Sequence, residues 1–412
     1  MWGGTGDQDY PQRSAVRTVS FRSAPDFPGA RIAQLPTVNI LLDCSAIKEG
    51  GGVQLALNFL DLLREEPPAG YNVYTLVPAD GLLHKAVTKS SLPNVLLCPQ
   101  GYVSRFLFEH VKLREIMAME QIKVIYTFFG AGLPHPAEVT SIVTVAYPII
   151  CYPESPYWQL VDAPSRIGNQ LRNWIRRRRL RNADLILVET PVMLQRLERH
   201  VGIDASRVKL LPPAVSEYVR ARSVNSLPHS PMNFLFVSGT AFHKNLWRLY
   251  AVGQQLRDKG VKPADARFLL TVTRDDYLAS LQEASVDSSI LDDYFEFLGG
   301  LHSSELMGAY ERASYLVSLS DLESFSNNYM EAWKVGVPII ASDRDFARSI
   351  CGESALYVEP HDPEAVADTI IQCKGDPSIA ARLVAAGQLH IGALPTTRDR
   401  FQKIFSYIDP VT

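Results

Sequence analysis

Ser320-Asp321-Leu322-Glu323-Ser324-Phe325-Ser326-Asn327-Asn328-Tyr329-Met330-Glu331-Ala332 is the stretch on which the reading of this chain turns. It follows a short apolar run, Tyr315 to Leu319, that reads as a strand. It precedes Gly336-Val337-Pro338, a helix stop leading into the next strand, Pro338 to Ala341. Ser326 stands where an N-cap belongs, with a helix near Asn327 to Lys334 behind it. Glu323 and Glu331 are eight residues apart. On one continuous helix they would diverge by about 80°, so they share a site only if Glu323 lies in the loop and Glu331 in the helix. That arrangement aims the amide N–H groups of Asn327, Asn328 and Tyr329 at the space between the carboxylates. A helix N-terminus suits a phosphate there, and carboxylates suit sugar or ribose hydroxyls. Spacing alone leaves open the plainer alternative of an N-terminal cap with two solvated acids.

Outward from this stretch the chain alternates short apolar runs with longer amphipathic ones. Strands are expected at Val38–Leu42, Tyr71–Val77, Val95–Leu97, Val124–Phe129, Ile142–Ala146, Leu185–Val188 and Val208–Leu211, and again at Phe234–Val237, Arg267–Val272 and Phe295–Leu298. Helices are expected at Val53–Arg64, Ser104–Met119, Ser165–Leu180, Pro191–His200, Leu246–Leu256, Ser304–Ala313, Pro363–Cys373 and Arg398–Tyr407. Continuous apolar strands alternating with helices mean parallel sheets covered on both faces. Residues 212–232 hold Pro212, Pro213, Pro228 and Pro231 with little apolar periodicity and read as a linker. The expected division is a disordered extension over 1–35, an α/β domain over 36–211, the linker 212–232, a second α/β domain over 233–395, and a C-terminal helix, 396–412, returning to the first domain. Doubly wound sheets bind ligands beyond the carboxyl ends of their strands, so both domains should turn those ends to a shared cleft.

The composition narrows the function. The 412 residues exceed one ordinary core, and 46% hydrophobic with 21% charged residues is globular composition. A net charge of −3 opposes wholesale nucleic-acid binding. Cys44, Cys98, Cys151, Cys351 and Cys373 are scattered without close pairs, which fits a reducing, cytoplasmic setting without zinc spacing or a disulfide framework. Residues 1–35 carry Arg13, Arg17, Arg22 and Arg31 but no apolar run of the secretory-signal kind; a mis-chosen start codon would look the same. No run of about 20 apolar residues reads as a membrane span.

Glu323 to Glu331 matches the E-x7-E motif of GT-B glycosyltransferases, and the chain resembles in particular the retaining family 4, or glycosyl transferases group 1. Two further segments carry the resemblance in order: Glu331-Ala332-Trp333-Lys334-Val335-Gly336-Val337-Pro338-Ile339-Ile340-Ala341-Ser342-Asp343, and Ala355-Leu356-Tyr357-Val358-Glu359-Pro360-His361-Asp362-Pro363-Glu364. It is strong over about residues 232–375 and weaker over 37–211.

The resemblance implies two Rossmann-like domains facing a cleft and transfer of a sugar, with retention, from a nucleoside-diphosphate sugar to a hydroxyl acceptor. Glu331 would hold the ribose hydroxyls of the donor and Glu323 would sit by the transferred sugar. Ser324, Phe325, Ser326, Asn327 and Asn328 would offer N–H groups to the diphosphate and sugar, and Lys244 would contact the diphosphate. In the first domain Gly50-Gly51-Gly52 lies between a strand and a helix; the resemblance gives Gly51 and Gly52 contact with the donor phosphate or acceptor, against the alternative of a tight turn. The family's arginine before that lysine is missing, Ser238, Gly239 and Thr240 standing there. Thr240 and Arg274 are the candidates to supplement Lys244, Arg274 having the alternative of a solvated loop. The histidine that many relatives place after the Ile142–Ala146 strand is also missing. His135 is weighed against a surface-loop histidine, and Glu154 is a candidate acceptor contact. No metal or other cofactor is expected, on the reading that the chain holds no Asp-x-Asp cluster and no His/Cys set; the leaving diphosphate would meet a lysine and helix N-termini instead.

Arg172, Arg176, Arg177, Arg178, Arg179 and Arg181, with Trp174, make a strongly basic helix. A peripheral contact between this Arg172–Arg181 segment and an anionic membrane, on its cytoplasmic face, stands against a solvated helix face. The expected partners are thus a nucleotide-sugar donor and a glycan or lipid-linked acceptor in surface polysaccharide or glycolipid synthesis, with no nucleic acid. Two rival readings remain at the level of sequence: a nucleotide-sugar epimerase on the same fold, and a catalytically silent subunit that binds a partner or glycan.

Overall fold

A computed structural model of the chain describes residues 37–48, 51–90, 92–222, 231–281 and 286–409. The extension expected over 1–35, Gly50 and the middle of the linker lie outside the described residues. The first sheet contains β1 (Val38–Asp43), β2 (Tyr71–Pro78), β3 (Val95–Cys98), β4 (Val124–Thr127), β5 (Thr140–Thr144), β6 (Leu185–Val188) and β7 (Val208–Leu210). Its order is β3-β2-β1-β4-β5-β6-β7, every pairing parallel. The second contains β8 (Met232–Phe236), β9 (Ala266–Leu270), β10 (Phe295–Phe297), β11 (Tyr315–Ser318), β12 (Ile339–Ser342) and β13 (Ala355–Val358), in the order β10-β9-β8-β11-β12-β13, again all parallel. Both are doubly wound, and the strand order reverses beside β1 in one sheet and beside β8 in the other. These are the crevices where such sheets take ligands.

The apolar runs are strands because they are buried on both faces: β4, β11 and β12 are buried at every residue. Helices on either side supply the cover. The C-terminal helix, Thr397–Ile408, lies against the first sheet's helix Gly51–Glu65, Phe401 meeting Phe59 at 4.9 Å between ring centroids. Its Arg400 is buried, donates to the carbonyls of Leu211 (3.1 Å) and Pro212 (2.7 Å), and pairs with Glu189 at 3.0 Å. The end of the first sheet, the start of the linker and the last helix are therefore tied at one charged point.

Three expectations need correction. Gly51 and Gly52 form the first turn of a helix rather than a turn before one; the first amides of a helix lack intrahelical partners, so glycine there interrupts no ladder. The helix expected over Ser104–Met119 widens into a π turn at Phe108–Lys112, and that expected to end at His200 widens at Leu197–Val201. Helices Gly81–Ser90, Arg274–Ser280, Ser288–Tyr294, Asp345–Cys351 and Pro377–Gly392 and strand β13 were not anticipated.

Replacing Arg400 with Met should leave the Glu189 carboxylate, whose side chain is only 6% exposed, without its ion-pair partner. Loss of one partner of a buried pair costs roughly 3–5 kcal/mol. Chemical denaturation should show that loss, and Glu189→Gln combined with Arg400→Met should recover part of it.

Candidate functional site

A cleft of about 1500 Å³ opens between the carboxyl ends of the two sheets. Its walls are the segments that leave those ends: Ala46 and Ile47 after β1, Phe129 after β4, Ala146 and Tyr147 after β5, Val237 and Gly239 after β8, Thr271 after β9, and Leu322 to Asn328 after β11. Gly51, Gly52, Lys244, Glu323, Ser324, Phe325, Ser326, Asn327, Asn328 and Glu331 all line it. Thr240 is exposed and is not among the lining residues.

Two helix N-termini face each other across the cleft. The helix Gly51–Glu65 begins opposite Asn327–Val335, so near that a Cβ built on Gly51 would stand 3.2 Å from Asn327 Nδ2. Neither helix has an acid in its first turn. The positive ends of both dipoles thus point into one space, the natural seat of an anion. Ser326 occupies the N-cap position but makes no side-chain capping bond, and the Tyr329 amide donates to the Ser326 carbonyl at 3.2 Å, so it is not among the amides left over.

Glu323 lies in the loop and Glu331 in the helix, both buried. Lys244 Nζ donates to Glu323 Oε1, and Ser320 Oγ donates to the same oxygen at 2.8 Å. Lys244 is presented by a short helical turn, Phe242–Lys244, that ends at Asn245 in the left-handed region (φ 58°), a conformation asparagine tolerates. Asn245 is buried and donates to the Leu319 carbonyl at 2.9 Å, fixing the lysine turn to the end of β11.

Glu331 is enclosed by hydroxyls. Tyr218 and Ser216 (3.3 Å) donate to Oε1, and Tyr310 donates to Oε2 at 2.9 Å. Burial pushes its carboxyl above the ordinary range, and these hydrogen bonds offset only part of that. Asp321, beside the site, goes the other way. Burial would raise it, but hydrogen bonds from His361 (2.7 Å) and Asn245, with the charges of His361 and Arg344, hold it below the ordinary range. Arg344 in turn grips Glu359 through two bonds of 2.7 and 2.8 Å. The loop that carries Glu323 is thereby clamped to the segment after β13.

Other expected residues fall elsewhere. Arg274 pairs with Asp292 at 2.7 Å, outside the cleft lining. His135 contacts the Pro136 carbonyl and Glu154 accepts from Arg196 at 2.5 Å, neither lining the cleft. The basic helix, Ala163–Arg181, divides its arginines. Arg172 and Arg176 line the cleft, whereas Arg177 donates to the Ile150 carbonyl, Arg179 pairs with buried Glu109 at 2.5 Å and Arg181 donates to the Val201 carbonyl. The expectation of no metal passed over Asp343-Arg344-Asp345, but Asp343 pairs with Arg348 and Asp345 with Arg196. Among the described residues no group of three or more His, Cys, Asp or Glu side chains could hold a metal ion. Tyr218, Ser216 and Tyr310 were missed; Ser216 and Tyr218 sit in the stretch read as a linker, where nothing in the residue pattern marks a carboxylate's partner.

Two family models match the chain, one on each sheet. Residues 50–217 match "Glycosyltransferase Family 4", and residues 231–376 match "Glycosyl transferases group 1". The O-antigen chain mannosyltransferase RfbU of Salmonella typhimurium is 26% identical over 166 residues, 40% of this chain and 43% of that protein, so the match spans under half of the relative's length. Sucrose-phosphate synthase from Thermosynechococcus elongatus superposes with a TM-score of 0.66 at 18% identity, over 91% of this chain and 99% of that one. Anabaena HepE, in complex with UDP and glucose, superposes with a TM-score of 0.64 at 13% identity, over 90% and 100%. Among the described residues no helix is long and apolar enough to cross a membrane.

Tyr310→Phe should remove the donor to Glu331 Oε2 and cost roughly 1–3 kcal/mol at neutral pH. Burial already raises this carboxyl, so the sign of the pH effect follows. As pH falls, Glu331 takes up a proton in the folded state before it would in the unfolded chain, the uncompensated charge disappears, and the deficit relative to the parent should shrink. Thermal melts of both proteins across acid to neutral pH test this.

Proposed function

Since the chain belongs to the group 1 and family 4 glycosyltransferases of the GT-B fold, we propose that it moves a sugar from a nucleoside-diphosphate sugar to a hydroxyl acceptor with retained configuration. The observation that carries the proposal is the convergence in one cleft of two opposed helix N-termini, Lys244 and the Glu323–Glu331 pair. The donor diphosphate lies between the helix starts at Gly51 and Asn327. Lys244, now paired with Glu323, turns its charge to the phosphate as the diphosphate leaves, while Ser320 keeps Glu323 in place to accept from a sugar hydroxyl. Glu331 has room on Oε2 for one more donor beyond Tyr310, which suits a ribose hydroxyl.

The chemistry is positioning and charge neutralisation. The leaving diphosphate takes the acceptor's proton on the face it departs from, the acceptor oxygen forms its bond to the anomeric carbon on that face, and configuration is kept. Positive charge is supplied by the chain, so the proposal includes no metal or other cofactor. Similarity to an O-antigen mannosyltransferase supports a role in surface polysaccharide or glycolipid assembly, with a glycan or lipid-linked acceptor met at the cytoplasmic face of a membrane.

Lys244→Ala should lower turnover through loss of roughly 2–4 kcal/mol of transition-state stabilisation without unfolding the protein. Glu331→Gln should mainly weaken binding of the bare nucleoside diphosphate, and Glu323→Gln should mainly lower turnover. A panel of nucleotide sugars, followed by slow donor hydrolysis and by titration of the matching diphosphates, separates these effects. Nucleotide binding without hydrolysis or transfer would mark a silent binding subunit instead.

A further inference from the structure

Among the described residues two histidines line the cleft, His243 and His302. His302 is committed to the fold: it caps the helix Ser303–Arg312, its Nδ1 accepting from the Ser304 amide at 3.4 Å. His243 has no such task. It is half-buried and stands directly before Lys244 on the turn Phe242–Lys244. Among the described residues nothing hydrogen-bonds either nitrogen of its ring. Its backbone is nevertheless fixed. The His243 carbonyl accepts from the Asp321 amide at 2.8 Å, and Asn245, two positions on, is bonded to the end of β11. From the first domain's side Tyr157 meets the ring edge-on, at 6.1 Å between centroids and 85° between planes. A polar ring on a fixed backbone, unpartnered inside a cleft, is placed for a ligand.

The groups around His243 select that ligand. On its own turn the facing charge is Lys244, and on the loop after β11 the charges are Asp321 and Glu323. On the first domain's side the facing group is the Tyr157 phenol, which burial keeps neutral by pushing its ionisation further up. Both acids already have partners, Glu323 in Lys244 and Asp321 in His361 and Arg344. Burial, and then the Lys244 charge, push His243 below its ordinary value, and the two acids oppose this only in part, so the ring is neutral at neutral pH. An anion beside the ring reverses that balance, because it favours the charged form. The second sheet's side has use for the charge. Among the described residues Lys244 is otherwise its cation on the cleft wall, and Lys244 is shared with Glu323.

We propose that His243 is a proton-dependent second cation for the donor diphosphate: its ring takes one proton from solvent as the anion enters, donates to a phosphate oxygen beside Lys244, and returns the proton to solvent when the anion leaves. The inference rests on the glycosyltransferase reading of the cleft and adds a residue and a proton to donor binding. No bond of the sugar is made or broken in this step. The sign of the pH effect follows from the extra proton held only in the bound state. Affinity rises as pH falls through the interval between the values of the free and the bound ring, by up to about tenfold per pH unit. A ring serving as base for the acceptor hydroxyl would do the opposite: it would be needed without its proton, and turnover would fall in acid.

Calorimetric titration with UDP, GDP and ADP from about pH 5.5 to about pH 8 tests it, on the parent and on His243→Gln, which keeps an amide donor but cannot be charged. The variant supplies the baseline for the titration of the nucleotide's own phosphate. At about pH 6 the parent should bind at least about tenfold more tightly than His243→Gln, and the two should converge toward about pH 8. Near neutral pH the heats in PIPES and in Bis-Tris, whose ionisation enthalpies differ, should show the parent taking up as much as about one proton more than the variant. His243→Asn gives the same comparison with a shorter amide should His243→Gln not fold. Equal pH dependence in parent and variant overturns the proposal and leaves the glycosyltransferase reading standing. So does a loss of turnover in acid that His243→Gln removes while nucleotide affinity stays unchanged, the mark of a base. A parent that binds none of the three diphosphates at any pH overturns the donor site and this proposal together.

Discussion

The structure depends on bringing two positive helix ends to face each other, near enough that the Asn327 side chain reaches Gly51. Gly51 and Asn327 begin helices that belong to different sheets, and a side chain on Gly51 would already crowd Asn327. Like ends of two dipoles repel, so the approach must be held by other means. It is held by neutral and charged ties around the rim. Ser303 Oγ donates to Gln54 Oε1 at 3.2 Å, and Arg196 bonds both Glu154 on its own side and Asp345 on the other. An anion between the two helix starts would turn this repulsion into attraction, so a cleft so arranged favours an anionic ligand over a neutral one.

The buried acids divide the remaining work. Glu331 is not a free acceptor waiting on a helix; three hydroxyls already surround it, and two of these come from the segment that joins the sheets. The connection between domains is thus part of the wall around the carboxylate, and any change in the path of residues 216–218 alters what Glu331 can accept. Asp321, in the loop after β11, performs a different task. Its partners Arg344 and His361 follow β12 and β13 respectively, and they fix the loop from which Glu323 reaches Lys244. Arg248 closes this network by contacting His361 at 3.2 Å while lying over Trp247 at 4.2 Å.

All strands but β13 were legible in the sequence as apolar runs, and the signal was clearest where burial is complete, as in Val124–Thr127 and Ile339–Ser342. The loop-then-helix placement of Glu323 and Glu331 was legible for a geometric reason: eight residues on one helix could not converge. The unread elements had weaker signals. The helix Asp345–Cys351 is short and is led into by the charged triplet Asp343-Arg344-Asp345, which reads as a turn, and Pro377–Gly392 is alanine-rich with little amphipathic contrast beyond its Asp376 cap. The partners of Glu331 were illegible because Ser216 and Tyr218 are ordinary linker residues until the chain path folds them onto a helix more than a hundred positions away. In the arginine run, six basic residues look like one surface, yet the fold sorts them: Arg172 and Arg176 line the cleft, while Arg177, Arg179 and Arg181 bond within the first domain.

That sorting bears on the missing arginine after β8. Ser238, Gly239 and Thr240 leave the second sheet with Lys244 as its cation on the cleft wall, and Lys244 is shared with Glu323. Among the described residues, the first sheet's side contributes Lys48, Lys85, Lys89, Arg172 and Arg176 to the same lining, opposed there by Glu189, which pairs with Arg400. A chain of net charge −3 therefore carries a cleft whose positive field is lopsided, strongest away from the E-x7-E loop. An anion entering is drawn first toward the helices around Arg172 and only then toward Gly51 and Asn327, since the longer-range attraction follows net charge while the helix termini act within about one turn. The missing arginine is thus not simply a weaker site. It shifts the balance of attraction from the wall that resembles the family most to the wall that resembles it least.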